Sequence, residues 1–124
     1  MNKIKEVAND HGIIIYFHTD WCGYCRQSKP IWDLASKRLD SHVKWLSFNC
    51  SKRSSFPFMK KKYNIKAYPT VIGLTPSNQL GKRKVLPFEK ELTTSNLQIF
   101  AATIDKSVCE RRENMQEKLS QLDV

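Results

Sequence analysis

The chain has 124 residues, 40% of them hydrophobic, which is enough for one small core and too little for two independent domains. Four glycines and five prolines exclude a collagen-like or low-complexity chain, and no apolar run approaches the roughly 18 residues that span a membrane. The formal charge of +9 favours encounter with acidic partner surfaces. It is spread over short separate runs, Lys60 to Lys62, Lys82 to Lys84 and Arg111 to Arg112, that match no nucleic-acid module, so nucleic acid is not the expected partner.

Asn2 to Asn9 reads as a short helix with Ile4 and Val7 or Ala8 facing a core. Met1 to His11 is polar and charged throughout and Ile13 to Phe17 is too short for a signal h-region, so no secretory leader is visible. A removed leader or anchor stays compatible with this. After Gly12, the β-branched and aromatic run Ile13 to Phe17 has the pattern of a strand covered on both faces. It ends at His18-Thr19-Asp20, which puts Cys22 and Cys25 just past the C-terminal end of a central strand, where open α/β sheets place their chemistry.

From Cys22 to about Leu39 the pattern turns helical, with Ile31, Leu34, Ala35 and Leu39 on one stripe, and Pro30 is expected to bend this helix without ending it. Val43 to Phe48 is a second strand. Ser51 to Ser55 is a polar link able to cap a helix over Pro57 to Lys62 that stops at Asn64. Ala67 to Leu74 reads as a third strand with Pro69 at its opening, and Thr75 to Gly81 as a turn into a fourth strand near Lys84 to Phe88. Thr93 or Thr94 caps a last helix bearing Leu97, Phe100, Ala101 and Ile104 on one side.

Residues 1–106 thus form one domain, and 107–124 a charged extension in which Val108, Met115, Leu119 and Leu122 keep near-helical spacing. Three readings of the extension stay open: a helix continuing against the body, a loose or truncated segment, and a partner-binding helix. One parallel crossover and one hairpin make this an α/β fold, with a central mixed sheet of about four strands covered by helices on both faces.

Two cysteines separated by two residues fit one helical turn and can close into a disulfide when the first sits at the helix start. There the free backbone N–H groups and the helix dipole favour a thiolate. Cys22 takes that place as an exposed attacking thiol, and Cys25, one turn in and more buried, resolves the mixed disulfide. Trp21 supplies a bulky flank for a substrate surface, or else merely closes the core edge. Gly23 permits close approach, and Tyr24 keeps an N–H that a proline would lack. Cys50 and Cys109 read as unreactive thiols. A metal site is not expected, because no second close Cys or Cys/His pair exists and His11, His18 and His42 stand alone. The redox centre is the Cys22–Cys25 disulfide itself, with no further cofactor.

The arrangement resembles the thioredoxin family over roughly residues 5–106, through WCGYC at 21–25, Pro30 five residues after the second cysteine, and AYPT at 67–70. The resemblance implies a thioredoxin-like fold in which Pro69 is cis and packs against the cysteine pair, while Tyr68 offers backbone groups to an extended substrate. It also exposes departures. Tyr16 stands where the family often has a buried aspartate that serves the resolving cysteine, and Trp45 appears opposite the usual lysine. A phenol is a poor general base at neutral pH, which leaves water, the substrate, His18 or Asp20 to accept the proton of Cys25. The bland readings of those two, a core-edge histidine and a solvated loop end, carry equal weight. Gly23-Tyr24 replaces Gly-Pro, the glycine expected before the last helix is missing near Pro87, and the interval from Asn49 to Pro69 is longer than usual. The stretch FHTDWCGYC looks more like modules of bacterial envelope thiol–disulfide systems than like a housekeeping thioredoxin.

The expected function is therefore that of a protein disulfide oxidoreductase working on protein thiols and disulfides with an upstream redox partner, reduction or electron relay being slightly favoured. Oxidase or isomerase action is the alternative within the same chemistry. A binding or assembly module that uses the basic surface and the extension is the alternative outside it. A bacterial periplasm or other envelope compartment is the favoured location, with the cytoplasm second.

Overall fold

The computed structural model describes residue 7 and residues 10–37, 43–51, 56–78 and 80–105. The helix expected over Asn2 to Asn9, the serine cap expected before Pro57, Leu39, Cys109 and the extension 107–124 lie outside the described residues. Among those described, the elements run β1 (Gly12–His18), α1 (Gly23–Ser36), β2 (Val43–Asn49), α2 (Phe56–Tyr63), β3 (Thr70–Leu74), β4 (Val85–Pro87) and α3 (Thr94–Thr103). The four strands form one mixed sheet in the order β2-β1-β3-β4. β1 pairs in parallel with β2, from Gly12 opposite Val43 to His18 opposite Asn49, and antiparallel with β3, from Ile13 opposite Leu74 to Phe17 opposite Thr70.

Because β1 lies between two strands and is covered on both sides, every residue from Gly12 to Phe17 is buried, which is why the run carries no polar alternation. Ile13, Ile15 and Phe17 meet Ile72, Leu74, Ile65 and Cys50 on one face. Ile14 and Tyr16 meet Val71 together with Trp32 and Ala35 of α1 and Leu97, Ala101 and Ile104 from the α3 end on the other. The two sets have the period-2 separation that a pleated strand imposes.

Helix α1 starts at a Cys22 N-cap and runs through Pro30 to Ser36, so the proline does not end it. Its buried stripe is Cys25, Ser28, Trp32 and Ala35, and Leu34, expected to face the core, is 62% exposed. Trp32, stacked on Tyr16 of β1, takes the core-facing place, and Leu34, two positions on and so about 200° round the helix, faces solvent. Asn64 at φ 54 stops α2 in the left-handed conformation that asparagine tolerates. The third strand begins at Thr70, later than the sequence pattern suggests, because Ala67 to Pro69 form a bend containing a cis Tyr68–Pro69 bond.

The hairpin turn is organised by Asn78, whose Oδ1 accepts from the backbone N–H groups of Leu80 and Lys82 at 2.9 and 3.0 Å, with Gly81 at φ 74. Thr93 is the N-cap of α3, its hydroxyl accepting from Asn96 N–H at 3.0 Å. No helix among the described residues is long and apolar enough to cross a membrane.

Candidate active site

The end of β1, the start of α1 and the bend before β3 converge on the cysteine pair. Cys22 has extended backbone angles, and its Sγ accepts the N–H of Cys25 at 3.1 Å, so the sulfur takes the place that a serine or aspartate oxygen fills in an ordinary N-cap. A free first-turn N–H aimed at that sulfur stabilises negative charge on it. The Cys22 thiol in turn donates to the Tyr68 carbonyl at 3.5 Å, which brings the residue before Pro69 to the reactive atom. Cys22, Cys25 and Cys50 are free thiols.

Exposure does not separate the two cysteines as the sequence suggests. Cys22 is 6% exposed and Cys25 4%, so both sulfurs lie under cover. The cover on the Cys22 side is the Tyr68 segment and the neighbouring Trp21, whose ring meets Tyr68 edge-on at 5.8 Å. Burial first, then the hydrogen bond with Cys22, pushes the Cys25 thiol up to about 11, against hydrogen bonds from the Thr19 backbone and the Tyr16 side chain that pull it down.

Beneath Cys25 lies Tyr16. Its phenol is 2.5 Å from Ser28 Oγ and donates to the Cys25 carbonyl at 3.2 Å, and Ser28 donates to the same carbonyl at 3.3 Å. Its ring is stacked between His18 at 5.2 Å and Trp32 at 5.1 Å, and Trp32 meets Trp45 at 5.1 Å. Burial raises the Tyr16 pKa further from neutrality. Ser28 was not singled out from the sequence, yet its place three residues after Cys25 puts it on the same helical face.

The two suggested proton acceptors are held elsewhere. His18 Nε2 pairs with Ser47 Oγ at 2.9 Å, and burial, followed by Lys29, lowers its pKa. Asp20 accepts from Asn49 Nδ2 at 2.7 Å while its backbone N–H donates to Ser51 Oγ. Neither side chain is hydrogen-bonded to Cys25. Trp21 and Tyr24 are 69% and 74% exposed beside the pair, and a Cβ built on Gly23 would meet nothing of this chain within 4 Å, so the rim is open. Cys50 is buried on the opposite face of β1, against the Tyr68 phenol, and burial raises its pKa. Among the described residues no three His, Cys, Asp or Glu side chains gather into a set fit for a metal ion.

A sheet with this order, a dithiol at the start of α1 and a cis proline facing it define a thioredoxin-like protein. The family model described as thioredoxin matches residues 2–102, and the chain belongs to the thioredoxin family. It is similar to the thioredoxin of Rickettsia felis, 35% identical over 70 residues, which are 56% of this chain and 64% of that protein. The human protein disulfide-isomerase TMX3 is 31% identical over 72 residues, covering 56% of this chain and 15% of that one. The chain therefore spans less than two thirds of the length of the curated relatives it matches first. In fold it is similar to the Trx4 domain of ERdj5, with a TM-score of 0.66 at 18% identity over 80% of this chain and 84% of that one. The first two thioredoxin domains of Saccharomyces cerevisiae Eps1p give 0.60 at 22% identity, over 81% and 37%. Relatives are thus found among both bacterial and eukaryotic thioredoxin-domain proteins.

Proposed function

We propose that the chain exchanges thiols and disulfides with protein substrates, Cys22 attacking and Cys25 resolving, and that it works as a reductase or electron relay. The carrying observation is the Cys22 sulfur at the α1 N-cap, touched by the Cys25 N–H and the Tyr68 carbonyl at an open aromatic rim. An extended substrate strand lies against the Tyr68 and Pro69 backbone, with its sulfur over Cys22. The Cys22 thiolate forms a bond to one substrate sulfur, the substrate S–S bond breaks, and the other sulfur leaves as a thiolate and takes up a proton. Cys25, after losing its proton, attacks Cys22 Sγ. The bond to the substrate breaks, the Cys22–Cys25 disulfide forms, and the substrate leaves reduced by two electrons. A bacterial envelope compartment is the proposed location, supported by the resemblance of FHTDWCGYC to envelope modules, and fractionation of the native host tests it.

Cys22→Ser is expected to abolish reduction of insulin disulfides, and Cys25→Ser to trap a substrate adduct on Cys22; unchanged activity of the first variant refutes the reading. Equilibration with glutathione reports direction. A potential near about −270 mV supports reduction and one near about −120 mV reverses the assignment to oxidation.

A further inference from the structure

The net charge is not spread evenly along the chain. Between Cys50 and Phe88 stand nine lysines and arginines and no aspartate or glutamate, so of the 21 basic and 12 acidic residues the rest of the chain holds 12 of each and is neutral. The whole +9 therefore belongs to the segment that runs from the end of β2 through α2 and the Tyr68–Pro69 bend to β4.

The fold sorts this segment by face and by end. Tyr63, Ile65 and Tyr68 pack on the Ile13, Ile15 and Phe17 side of the sheet, so α2 and the bend cover that side. α1 and α3 cover the other, and the link carrying Glu89 and Glu91 goes with them, since its Phe88 and Leu92 pack against the Ile14 and Tyr16 cluster. Along the strands, the bend opens β3 at the Cys22 end, where Thr70 lies opposite Phe17. The hairpin lysines Lys82 and Lys84 follow Leu74, opposite Ile13, at the other end. The two basic groups are thus separated by the length of β3, five residues or about 16 Å.

At the Cys22 end the charge is exposed and close to where a substrate strand lies. Lys60, Lys61 and Lys62 form the last turn of α2 and are exposed, as is Lys66. A helix C-terminus favours cations, which accounts for the first three. It does not account for Lys66, which lies past the Asn64 stop and two residues before Tyr68, at most about 7 Å of chain from the residue whose carbonyl touches Cys22. The loop before Cys22 contributes one carboxylate, Asp20, which is engaged by Asn49 Nδ2 at 2.7 Å.

Resting on the exchange function proposed above, we infer that the α2 side of the Tyr68–Pro69 bend, carrying Lys61 and Lys66, is a docking surface for substrate proteins whose disulfide cysteine is flanked by aspartate and glutamate. A strand aligned on the bend and leaving it towards α2 meets a surface on which every charged side chain from residue 56 to residue 69 is a lysine. Acidic flanks are attracted there and basic flanks repelled, and the difference acts on encounter and register while the sulfur chemistry stays the same.

The test measures the second-order rate at which the reduced full chain opens three peptide disulfides of equal length, their cysteines flanked by Asp and Glu, by Ser and Gln, or by Lys. Released thiol is read by intact mass at about 10 and about 150 mM salt, where charges are screened over about 30 and 8 Å. The acidic peptide is expected to react at least about tenfold faster than the lysine peptide at low salt, with the ratio falling severalfold at high salt. Lys61→Glu with Lys66→Glu is expected to erase or invert the preference. Lys82→Glu with Lys84→Glu removes the same charge at the far end of the sheet and is expected to leave the preference within about twofold of wild type. A preference that the α2 pair retains, that the hairpin pair loses as fully, or that the wild type never shows overturns the inference and leaves the exchange function standing. Opening of none of the peptides overturns both. Wild type that shows no peptide preference but binds vesicles of equal phosphatidylcholine and phosphatidylglycerol reassigns the surface to a membrane and overturns the inference as well. Should the glutamate variants fail to fold, the matching glutamine pairs carry the same comparison with about half the effect.

Discussion

Replacing Tyr16 by phenylalanine removes one oxygen from a buried polar contact and leaves the ring where it is. The stacks on Trp32 and His18, at 5.1 and 5.2 Å, are retained, so the change isolates the hydroxyl. Lost are the contact with Ser28 Oγ at 2.5 Å and the bond to the Cys25 carbonyl at 3.2 Å. Ser28 keeps its own bond to that carbonyl at 3.3 Å, so no buried group is orphaned and the penalty stays at the ordinary net value for each bond. The two hydroxyls carry two hydrogens between them for these three contacts, so the net loss is one bond, about 0.5–1.5 kcal/mol. For a chain of this length that lowers the melting temperature by roughly 2–8 °C. Urea melts of the reduced protein, read by far-ultraviolet circular dichroism, give the difference directly. Ser28→Ala and the double variant complete a cycle in which a coupling of about 0.5–1.5 kcal/mol is expected between residues in direct contact. Additive losses, or a Tyr16→Phe variant within about 0.3 kcal/mol of wild type, would show that the pair does not hold the helix start.

A Cβ on Gly12 would fall on the Ile104 carbonyl, which is backbone and cannot rotate away, whereas one on Gly23 meets nothing. Gly12→Ala should therefore cost about 1–3 kcal/mol while Gly23→Ala, in the first turn of α1, should gain a few tenths to about 1 kcal/mol, both measured by the same melts. Alkali should weaken the reduced form: folded Cys25 keeps its proton to about 11 while the unfolded thiol releases it near 9.0, so the native state binds more protons in that window and stability falls as pH rises through it. The loss from this group is of order 2 kcal/mol and is absent from the oxidised protein, so a reduced-minus-oxidised stability that stays constant from pH 9 to 11 contradicts the assignment. Trp21→Ala, at an exposed rim residue that meets Tyr68 edge-on, should change stability by no more than about 0.5–1 kcal/mol yet raise KM for a protein disulfide severalfold; an unchanged KM would take Trp21 out of the substrate surface.

Most of this architecture was legible because burial on both faces leaves a signature. The unbroken run Ile13 to Phe17 marked the central strand, and the cysteines after it marked both site and helix start. Thr93 and Asn64 announced a cap and a stop through side-chain chemistry alone. The stripe on α1 was misread at Leu34 because periodicity narrows a helix face only to within a residue or two, and the bulk of Trp32 chose among the options. The exposure of Cys22 was misjudged for a different reason: its cover comes from Tyr68, 46 positions away, by a chain reversal that local pattern does not encode. The partnership of Tyr16 and Ser28 escaped notice in the same way, as it depends on how α1 lies over β1.

The tryptophans give the molecule an optical property of its own. Trp21 stands in solvent beside the dithiol, while Trp32 is buried against Tyr16, whose hydroxyl touches the Cys25 backbone. Two of the three tryptophans thus bracket one pair of sulfurs, a red-shifted emitter on the outer side and a blue-shifted one within, the inner one touching the third, Trp45. A sulfur–sulfur bond quenches a nearby indole, so closing and opening of the pair is written into the emission spectrum of the unlabelled chain, and a docking partner that covers only the rim shifts only the red component.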